Sequence, residues 1–524
     1  MKKYDYLVIG TGAANITTDA AIDAGKTVAV IEKGKFGGTC LNRGCIPTKT
    51  LVNPVDYKMD FARLKSKGLI EGEFKLNWTA MGARMWNHLN HQSSQVLEAY
   101  SVEENVDVYQ GTGFFTGEKV VRVKFNDGTL SEELTADTIL IASGARTRIP
   151  DNIKGLEKID YITSETFFGD KFPKQPYRSL VILGGGPIAA EFAHIFANMG
   201  TQVTIVQHNP RLLPVFDPDI TETVLKEYEK SGIEVYLNSE MIQVEENDGV
   251  KKFTIEHRAT GETKIIEAED LLLATGLTGN SDILKLENTG VELDSRGWIK
   301  TNEFLETSVE GVYAIGDANG KFQLRHVANY EAEILAFNLF ERERNDAGLA
   351  VTPRRRARYD VVPSAVYTHP QVASVGLNTK MAEDQGFQIT TGKFAYGYTI
   401  KPFAMGYDFG KPENFVKIIA DQKTRRILGV QIVGPEAAIL VQPYVNLINT
   451  GEHKFKILEP EIGSAETERE RKEFTARYLD PRTPDAVNYT MTIHPALSEV
   501  STWASSAVEF DGPILNAEQP IDLE

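Results

Sequence analysis

The sequence predicts an α/β protein that contains two Rossmann-like dinucleotide-binding domains. One strand–turn–helix–strand unit opens the chain, and a second unit with the same pattern begins at Tyr177. The length of 524 residues also exceeds the roughly 250–300 residues over which one hydrophobic core keeps growing. Two or more domains are therefore expected.

The first unit is YDYLVIGTGAANITTDAAIDAGKTVAVIEK, close to the N-terminus. Apolar Tyr6–Ile9 predicts a buried strand, and Gly10 and Gly12 allow a tight turn with a close backbone approach. Val28–Ile31 predicts a parallel strand that ends at Glu32, near the spacing at which an acidic side chain meets an adenosine ribose. The N-terminus of the intervening helix offers amide donors to a pyrophosphate. The unit therefore predicts dinucleotide binding.

The second unit is YRSLVILGGGPIAAEFAHIFANMGTQVTIVQHNPR. Its fingerprint positions are Gly184, Gly186 and Ala189. The third position of the first unit is instead Asn15, which predicts slightly wider packing of helix on strand there. The residue that follows the second strand is Gln207. An acidic residue would favour a free ribose 2′-hydroxyl and an arginine a 2′-phosphate, so Gln207 leaves the choice of dinucleotide open.

Three later segments fit the same architecture. DTILIASGA (Asp137–Ala145) and DLLLATGL (Asp270–Leu277) each predict a buried strand with a small-residue turn, where the chain would cross between two nucleotide domains. In TSVEGVYAIGDANG, Asp317 follows the strand Val312–Ile315. Its carboxylate could accept hydrogen bonds from cofactor hydroxyls, although such an Asp could also be a helix cap.

The chain has two cysteines, Cys40 and Cys45, in the stretch FGGTCLNRGCIPTK. A structural disulfide over so short a loop would add little stability and would be kept reduced in the cytosol. A metal site would need more ligands nearby, and the segment has none. Redox chemistry is the role that remains.

The motif GGTCLNRGCIPTK resembles the redox-active disulfide of the class I flavoprotein disulfide reductases. This pyridine nucleotide disulfide oxidoreductase family contains dihydrolipoamide dehydrogenase, glutathione reductase, mycothione reductase and mercuric reductase. The resemblance covers nearly the whole chain through both fingerprints, YAIGDA, VYTHPQVASVG and IHPALSE. These motifs are most similar to those of dihydrolipoamide dehydrogenases, followed by those of mycothione reductases.

This resemblance implies a domain order. An FAD-binding domain would comprise residues 1–152 and 278–350, an NAD(P)-binding domain residues 153–277, and a C-terminal α+β interface domain residues 351–524. The protein would be a homodimer whose active sites are shared between subunits. Cofactor-binding positions carried over from the family are Gly10, Gly12, Glu32, Lys33, Gly38, Thr39, Gly144 and Asp317 for FAD, and Gly184, Gly186, Gln207 and Gly276 for NAD(P).

The resemblance also assigns catalytic roles. Cys45 would lie against the flavin as the charge-transfer thiolate, and Cys40 would exchange with the substrate sulfur. His494, oriented by Glu499 in HPALSE, would be the base that takes and returns the thiol proton, and it would come from the partner subunit.

Lys49 matches the family lysine beside the flavin, and Glu191 matches its ion-pair partner on the helix of the second unit. A cation there would stabilise negative charge on the reduced ring.

Composition also bears on the possible partners and location of the protein. Lysine and arginine number 56 against 73 aspartates and glutamates, a formal net charge of −17, which disfavours nucleic acid as a partner. No apolar run approaches the roughly 18 residues typical of a membrane span. MKKYDYLVIG lacks the pattern of a signal peptide, so a cytoplasmic location is expected. No metal site is expected.

The substrate stays open between alternatives. The first hypothesis is a dihydrolipoamide dehydrogenase-like enzyme that acts on a small-molecule or lipoyl-domain disulfide. The alternative is an NADPH-dependent reductase of a low-molecular-weight disulfide such as mycothione, and a non-enzymatic scaffold ranks last because thiols and base are present. The interface domain has an insertion around residues 455–490, interpreted as an exposed helical decoration, and RRRAR at Arg354–Arg358 is interpreted as a solvated linker.

Overall fold

A computed structural model of the chain describes residues 1–247, 249–345, 348–450, 455–456, 478–488 and 491–511. Most of the insertion expected around residues 455–490 and the exposed helix expected within it lie outside the described residues. The chain divides into two compact units. The first comprises Met1–Lys58, Lys75–Pro210 and Ser231–Tyr359, and the second comprises Met59–Phe74, Arg211–Lys230 and Asp360–Glu524.

The strands are numbered here in chain order. They are β1 (Lys2–Ile9), β2 (Val28–Glu32), β3 (Val106–Gly117), β4 (Val120–Phe125), β5 (Leu134–Ile141), β6 (Ala145–Thr147), β7 (Ser179–Leu183), β8 (Gln202–Val206), β9 (Glu234–Tyr236), β10 (Ser239–Asn247), β11 (Val250–His257), β12 (Thr263–Ala268), β13 (Asp270–Leu273), β14 (Leu277–Gly279), β15 (Val312–Ala314), β16 (Pro363–Val366), β17 (Val372–Gly376), β18 (Ile389–Ala395), β19 (Phe415–Asp421), β20 (Ile427–Val433), β21 (Phe455–Lys456) and β22 (Tyr478–Leu479).

The α-helices are numbered in the same way. They are α1 (Asn15–Asp23), α2 (Gly38–Arg43), α3 (Cys45–Ser66), α4 (Trp78–Ser101), α5 (Ser164–Phe167), α6 (Pro187–Asn198), α7 (Pro218–Lys230), α8 (Arg325–Ala336), α9 (Thr379–Asp384), α10 (Ile400–Ala404), α11 (Ala437–Leu440), α12 (Gln442–Asn449), α13 (Pro484–Asn488) and α14 (Glu499–Ser506). Among the described residues no helix is long and apolar enough to cross a membrane.

The first sheet has a parallel core in the order β3–β2–β1–β5–β15, and β4 pairs antiparallel with both β3 and β5. Both faces of β1 are buried, because Tyr6 and Val8 pack on the face that carries α1 and α8 while Leu7 and Ile9 pack on the opposite face. A strand buried on both sides reads as a continuous apolar run, as the sequence of this segment does. The predicted βαβ unit is therefore confirmed.

The second predicted unit is confirmed as well. Strands β9–β8–β7–β13 form a parallel sheet, and the antiparallel strands β10–β11–β12 cover it, with Val181 and Leu183 packed against Val244 and Phe253. Helix α6 follows the glycine turn as expected. The segments DTILIASGA and DLLLATGL contribute strands β5 and β13, and the antiparallel pair β6–β14 lies directly after them in the chain.

The second of the two compact units, which includes residues from Asp360 onwards, contains an antiparallel sheet in the order β16–β17–β20–β19–β18, with α14 packed against β18 and β19. Its core includes Val416, Ile418, Val430 and Ile432 from the two central strands, together with Val500 from α14. These side chains alternate along β19 and β20 and so lie on one face of the sheet. Phe415, Ile419 and Val433 on the opposite face are buried as well, so the two central strands are covered on both sides. The mixed α/β class, with two Rossmann-like domains and a C-terminal α+β domain, is confirmed.

A buried ion pair stabilises the second compact unit. The Asp217 carboxylate is 3% exposed, lies 2.8 Å from Lys417 Nζ, and accepts hydrogen bonds from the backbone N–H (3.1 Å) and hydroxyl (2.5 Å) of Thr379. Burial alone would raise the pKa of the Asp217 carboxyl, but Lys417 and Thr379 together hold it below its ordinary value of 3.8. A carboxylate with a lowered pKa stabilises the fold above its ordinary pKa, and the effect is lost as the pH falls.

We predict that Asp217→Asn lowers the free energy of unfolding at neutral pH by about 2 kcal/mol, because it removes the closer and more deeply buried of the two carboxylates that pair with Lys417 and leaves only Asp219, at 3.3 Å. The measurement is urea denaturation followed by circular dichroism. The difference between parent and variant should shrink as the pH falls below 3.8, where the parent carboxylate also loses its charge.

Asp384→Asn is the matched control in the same unit, because Asp384 pairs with Lys380 on the exposed surface at 2.8 Å. It should leave the denaturation midpoint nearly unchanged. Equal losses of unfolding free energy in the two variants would show that the buried ion pair stabilises the fold no more than the exposed one does.

Candidate active site

The first glycine turn brings two strand ends together. Gly10 has a φ of +104°, and a Cβ on it would lie 2.3 Å from the carbonyl oxygen of Ala142, at the end of β5. Only glycine fits such an approach. Ala14, which precedes α1, provides no side-chain cap, and the N–H groups of Asn15 and Ile16 donate to the carbonyl oxygens of Gly12 (3.4 Å) and Ala13 (3.1 Å) instead.

Glu32 ends β2 beside this turn. Its carboxylate is buried and accepts hydrogen bonds from the backbone N–H (3.0 Å) and hydroxyl (2.8 Å) of Thr11, and from the N–H of Gly34 (2.9 Å). These donors fix the carboxylate next to the turn, at the position where the fingerprint places a ribose-binding acid.

The same turn holds the segment that carries the cysteines. The N–H of Gly37 donates to the Thr11 hydroxyl at 3.0 Å, and a Cβ on Gly38 would lie 2.6 Å from the Cα of Gly12. Gly38 has a φ of +69° and begins α2. The backbone of the cysteine segment therefore packs directly on the glycine turn.

Cys40 and Cys45 lie in two successive helices. Cys40 is in α2, Gly44 separates the helices with φ −136° and ψ −112°, and Cys45 begins α3. The break at Gly44 means that the two cysteines do not share one continuous helix. Cys45 is exposed and Cys40 is half-buried.

The two thiols titrate as a pair. A hydrogen bond from Cys45 lowers the pKa of the Cys40 thiol to about 7, against the effect of burial, and Arg325, the backbone N–H of Cys45 and Lys49 lower it further. The same interaction with Cys40 raises the pKa of Cys45. The pair therefore gives up one proton near neutral pH and holds the second, so the charge belongs to the pair rather than to one sulfur.

Lys49 and Glu191 form an ion pair and a short hydrogen bond between α3 and α6. The Glu191 side chain is 9% exposed and that of Lys49 is 34% exposed. Lys49 lies one helical turn after Cys45. The pair therefore places a cation close to the thiols and anchors it on the helix of the second nucleotide-binding unit.

Asp317 lies in a short 3₁₀-helix, Gly316–Asn319, directly after β15. Burial, and the nearby charge of Glu331, raise the pKa of its carboxyl to about 6. Glu331 is fully buried and accepts hydrogen bonds from the N–H of Gly316 (2.6 Å), the amide of Asn319 (2.9 Å) and the hydroxyl of Tyr359 (2.6 Å). A hydroxyl group of a bound cofactor could donate a hydrogen bond to the Asp317 carboxylate. Such a bond would offset part of the cost of burying the charge.

The residues around the first turn fit FAD. Among the described residues, the buried side-chain oxygens of Asn15 (Oδ1) and Ser143 (Oγ) have no hydrogen-bond partner. Gly144 beside Ser143 has a φ of +68° and open space where a Cβ would be. Buried polar atoms without partners are rare in native proteins, so a polar group is expected to meet them. Lys33 and Thr39 are exposed at the same end of the sheet.

The second glycine turn repeats the first with one change. A Cβ on Gly184 would lie 2.2 Å from the carbonyl oxygen of Ala274, and the space over Gly186 and Gly276 is open. The side chain of Gln207 lies over Gly185, where a Cβ would come within 2.8 Å of it, and it is 3% exposed. Glu32 occupies the corresponding place over Thr11. The second turn therefore carries a neutral amide where the first carries a carboxylate.

The predicted base and its orienting carboxylate lie next to each other within the second compact unit. His494 Nδ1 lies 2.7 Å from Glu499 Oε1, and the N–H of Ala496 donates to Glu499 Oε2 at 2.9 Å. Burial would raise the pKa of Glu499, but His494 and the Ala496 N–H lower it overall. A carboxylate at Nδ1 leaves Nε2 free of that bond to act as a base, and the imidazole is 68% exposed.

Sequence reasoning missed four residues of this site. Thr11 joins Glu32 to Gly37, and the amide of Asn42 donates to the carbonyl oxygens of Phe36 (2.9 Å) and Gly38 (3.1 Å). The other two are Arg325 and Glu331. A threonine between two fingerprint glycines was a usable signal, but only the fold brings Arg325 within 4.0 Å of the Cβ position of Gly12.

The described residues contain no group of three or more His, Cys, Asp or Glu side chains that could hold a metal ion.

Comparison with known proteins places this geometry in a family. Residues 4–332 match the family model described as pyridine nucleotide-disulphide oxidoreductase, and residues 362–463 match its dimerisation domain. The chain is 32% identical over 493 residues to a dihydrolipoyl dehydrogenase of Rhizobium etli, covering 90% of this chain and 97% of the other. It is 31% identical over 456 residues to mycothione reductase of Mycobacterium tuberculosis, covering 86% of this chain and 94% of the other.

A solved structure shows the same fold. The flavoprotein disulfide reductase RclA of Escherichia coli, in a Cu(II) complex, superposes with a TM-score of 0.78 at 23% identity, covering 97% of this chain and all of the other. Three findings support the same family: two family models match successive parts of the chain, two relatives exceed 30% identity, and the segment with the two cysteines packs on the first glycine turn. The chain therefore belongs to the pyridine nucleotide-disulphide oxidoreductases, a family of FAD-dependent enzymes with NAD(P)H as the electron donor.

Proposed function

We propose that the protein transfers electrons between NAD(P)H and a disulfide or dithiol substrate by way of a Cys40–Cys45 disulfide. The observation that carries this proposal is the thiol pair itself, because Cys40 and Cys45 lie in two successive helices whose start is packed on the first glycine turn. FAD, when bound there, supplies the two-electron carrier between the nicotinamide and the disulfide. A reducing cytoplasm, as the sequence predicts, suits a pair that cycles between dithiol and disulfide.

The thiol chemistry balances within the chain. The Cys40 thiolate attacks one sulfur of a substrate disulfide, which forms a mixed disulfide and releases the other substrate sulfur as a thiolate that takes up a proton. Cys45 then attacks the Cys40 sulfur, which releases the second substrate thiol and closes the Cys40–Cys45 disulfide. Two electrons and two protons restore the dithiol. The reverse sequence oxidises a dithiol substrate.

His494 and Glu499 act as the proton carrier in this proposal. Glu499 accepts at Nδ1, so His494 Nε2 exchanges the proton with the substrate or interchange thiol. As the resemblance implies, His494 of one subunit serves Cys40 of the other. The dimerisation-domain match over residues 362–463 supports a homodimer in which this can occur.

Lys49 is proposed to stabilise negative charge during reduction. Its ammonium group is one turn from Cys45, and its ion pair with the buried Glu191 limits its motion. The positions proposed for FAD are those around Gly10, Glu32 and Asp317, and those proposed for NAD(P)H surround Gly184 and Gln207.

The first substrate candidate is a lipoyl-type dithiol, as in dihydrolipoyl dehydrogenase. The second candidate is a low-molecular-weight disulfide reduced with NADPH. It is supported by the neutral side chain of Gln207, because a carboxylate at this place would repel a ribose 2′-phosphate. The two relatives differ by one percentage point in identity, so their names do not separate the candidates.

We predict that Cys45→Ser abolishes the long-wavelength absorption that a thiolate beside a flavin produces in the partly reduced holoenzyme, and that Cys40→Ser retains it. In the parent the band should strengthen as the pH rises, because the pair loses its first proton near pH 7. Absorption spectroscopy during anaerobic titration is the measurement. Loss of the band in Cys40→Ser alone would reverse the two roles.

Subunit mixing tests the shared site. Cys40→Ser and His494→Ala homodimers should each turn over disulfide at least roughly a hundredfold more slowly than the parent. Heterodimers formed by exchange should recover activity in proportion to their population, because one of the two sites then contains an intact thiol pair and base. Confirmed exchange without recovery would place thiol and base in the same chain.

A substrate panel tests the chemistry proposed for the nicotinamide and disulfide. We expect the highest kcat/KM with lipoamide, compared with mycothione and glutathione disulfides, each assayed with NADH and NADPH. Gln207→Glu should lower kcat/KM for NADPH by roughly tenfold or more through charge repulsion and leave NADH within about threefold.

Gln202→Glu is the matched control, because it adds the same charge at the exposed start of β8. It should leave the ratio between the nucleotides unchanged. A Gln207→Glu variant with an unchanged ratio would place the 2′-position away from Gln207, and faster turnover of mycothione than of lipoamide would favour the second candidate.

A further inference from the structure

Helices α3 and α6 meet through a second polar contact, apart from the Lys49–Glu191 pair. His194 Nε2 lies 2.9 Å from Asp56 Oδ1, and the imidazole is only 3% exposed. Lys58 also donates a short hydrogen bond to the carbonyl oxygen of Asn198 at the end of α6. The contact between the helices therefore continues well beyond the active site.

Asn198 fixes the chemical form of this contact. Its amide nitrogen donates to the His194 carbonyl oxygen at 2.9 Å, which sets the orientation of the amide. The same nitrogen lies 3.3 Å from His194 Nδ1, so Nδ1 is the acceptor and Nε2–H donates to Asp56. His194 in this arrangement is a neutral donor that holds a partly buried carboxylate.

The spacing along α3 puts the two contacts on one face. Asp56 follows Lys49 by two helical turns, and residues at that spacing lie nearly in line along a helix. On α6, Glu191 and His194 are one turn apart and face the same neighbour. Two polar contacts therefore clamp α3 at points roughly 10 Å apart along its axis.

Pro54 lies between these two points. A proline inside a helix removes one backbone hydrogen bond and weakens the turn that precedes it, here the turn that carries Lys49 and Thr50. A contact on the far side of Pro54 is therefore needed if the N-terminal turns of α3 are to keep a fixed position on α6.

We propose that His194 is a positioning residue: by holding Asp56 it fixes α3 on α6 across the Pro54 interruption, and so keeps Lys49 beside the cysteine pair. The clamp acts on the thiols through the Lys49 charge. This inference rests on the redox role proposed for Cys40 and Cys45, and it concerns side chains to which that proposal gives no part.

The test measures the pH midpoint for iodoacetamide alkylation of Cys40 in the reduced protein, identified by peptide mass. Lys49 lowers the pKa of this thiol less than the hydrogen bonds from Cys45 and the charge of Arg325 do. His194→Ala and Asp56→Asn should therefore raise the midpoint by a small amount, with alkylation at pH 7 slower by up to about twofold. His194→Gln, which keeps an N–H donor, should restore the parent value.

Asp270→Asn is the matched control for lost stability. Asp270 pairs with the buried Lys251 at 2.6 Å in the same unit and has an exposure of 18%, close to the 22% of Asp56. Thermal unfolding should show a lower midpoint for both Asp→Asn variants, and only Asp56→Asn should change the alkylation midpoint. A change of the same size in Asp270→Asn would overturn the proposal.

A double-mutant comparison isolates the route through Lys49. Lys49→Met should raise the alkylation midpoint by itself, and Asp56→Asn should add nothing further in that background. An unaltered midpoint in Lys49→Met, or a full additional shift in the double variant, would overturn the inference. The readout needs neither nicotinamide nor substrate, so it can fail while the spectroscopic and subunit-mixing tests of the proposed function succeed.

Discussion

The contact between Gly12 and Gly38 is the constraint on which the candidate site depends. A side chain on Gly38 would collide with the Cα of Gly12, so the chain can make this contact only with glycine. The contact seats the start of α2 on the nucleotide-binding turn, and the two cysteines follow within the next helical segments. Thr11 and Asn42 add hydrogen bonds that hold the same segment. The position of the thiols is thus set by backbone packing rather than by their own contacts.

The two glycine turns share a geometry and differ in charge. In each, a side chain from the end of the neighbouring strand lies over the middle residue of the turn, as Glu32 over Thr11 and Gln207 over Gly185. The strands, and the glycines that meet a facing carbonyl oxygen, are equivalent in the two turns, so the turns differ mainly in the side chains at the ends of the neighbouring strands.

Much of this architecture was predictable from the sequence, and the reasons are local. The strands from Tyr6 and Leu180 are apolar on both faces, and fingerprint glycines follow each directly, so periodicity and spacing identify them. The break at Gly44 was not predictable, because Gly is tolerated within helices. Nor was the packing of RRRAR, interpreted from sequence as a solvated linker: Arg354 pairs with Glu306 at 2.6 Å and lies 3.8 Å from the ring centroid of Phe304. Contacts between residues far apart in sequence, such as Asp56 with His194, need the fold before they can be seen.

The shared proton of the thiol pair has a consequence for damage by oxidants. A thiol that ionises near neutral pH reacts readily with peroxide to give a sulfenic acid, the first step toward irreversible loss. Because Cys45 lies close enough to Cys40 to influence its ionisation, a sulfenic acid at Cys40 would meet a neighbouring thiol and close to a disulfide with release of water. This is the disulfide that we propose forms in turnover, so the proposed electron transfer would return it to the dithiol. The geometry that makes the pair reactive therefore also protects it from overoxidation.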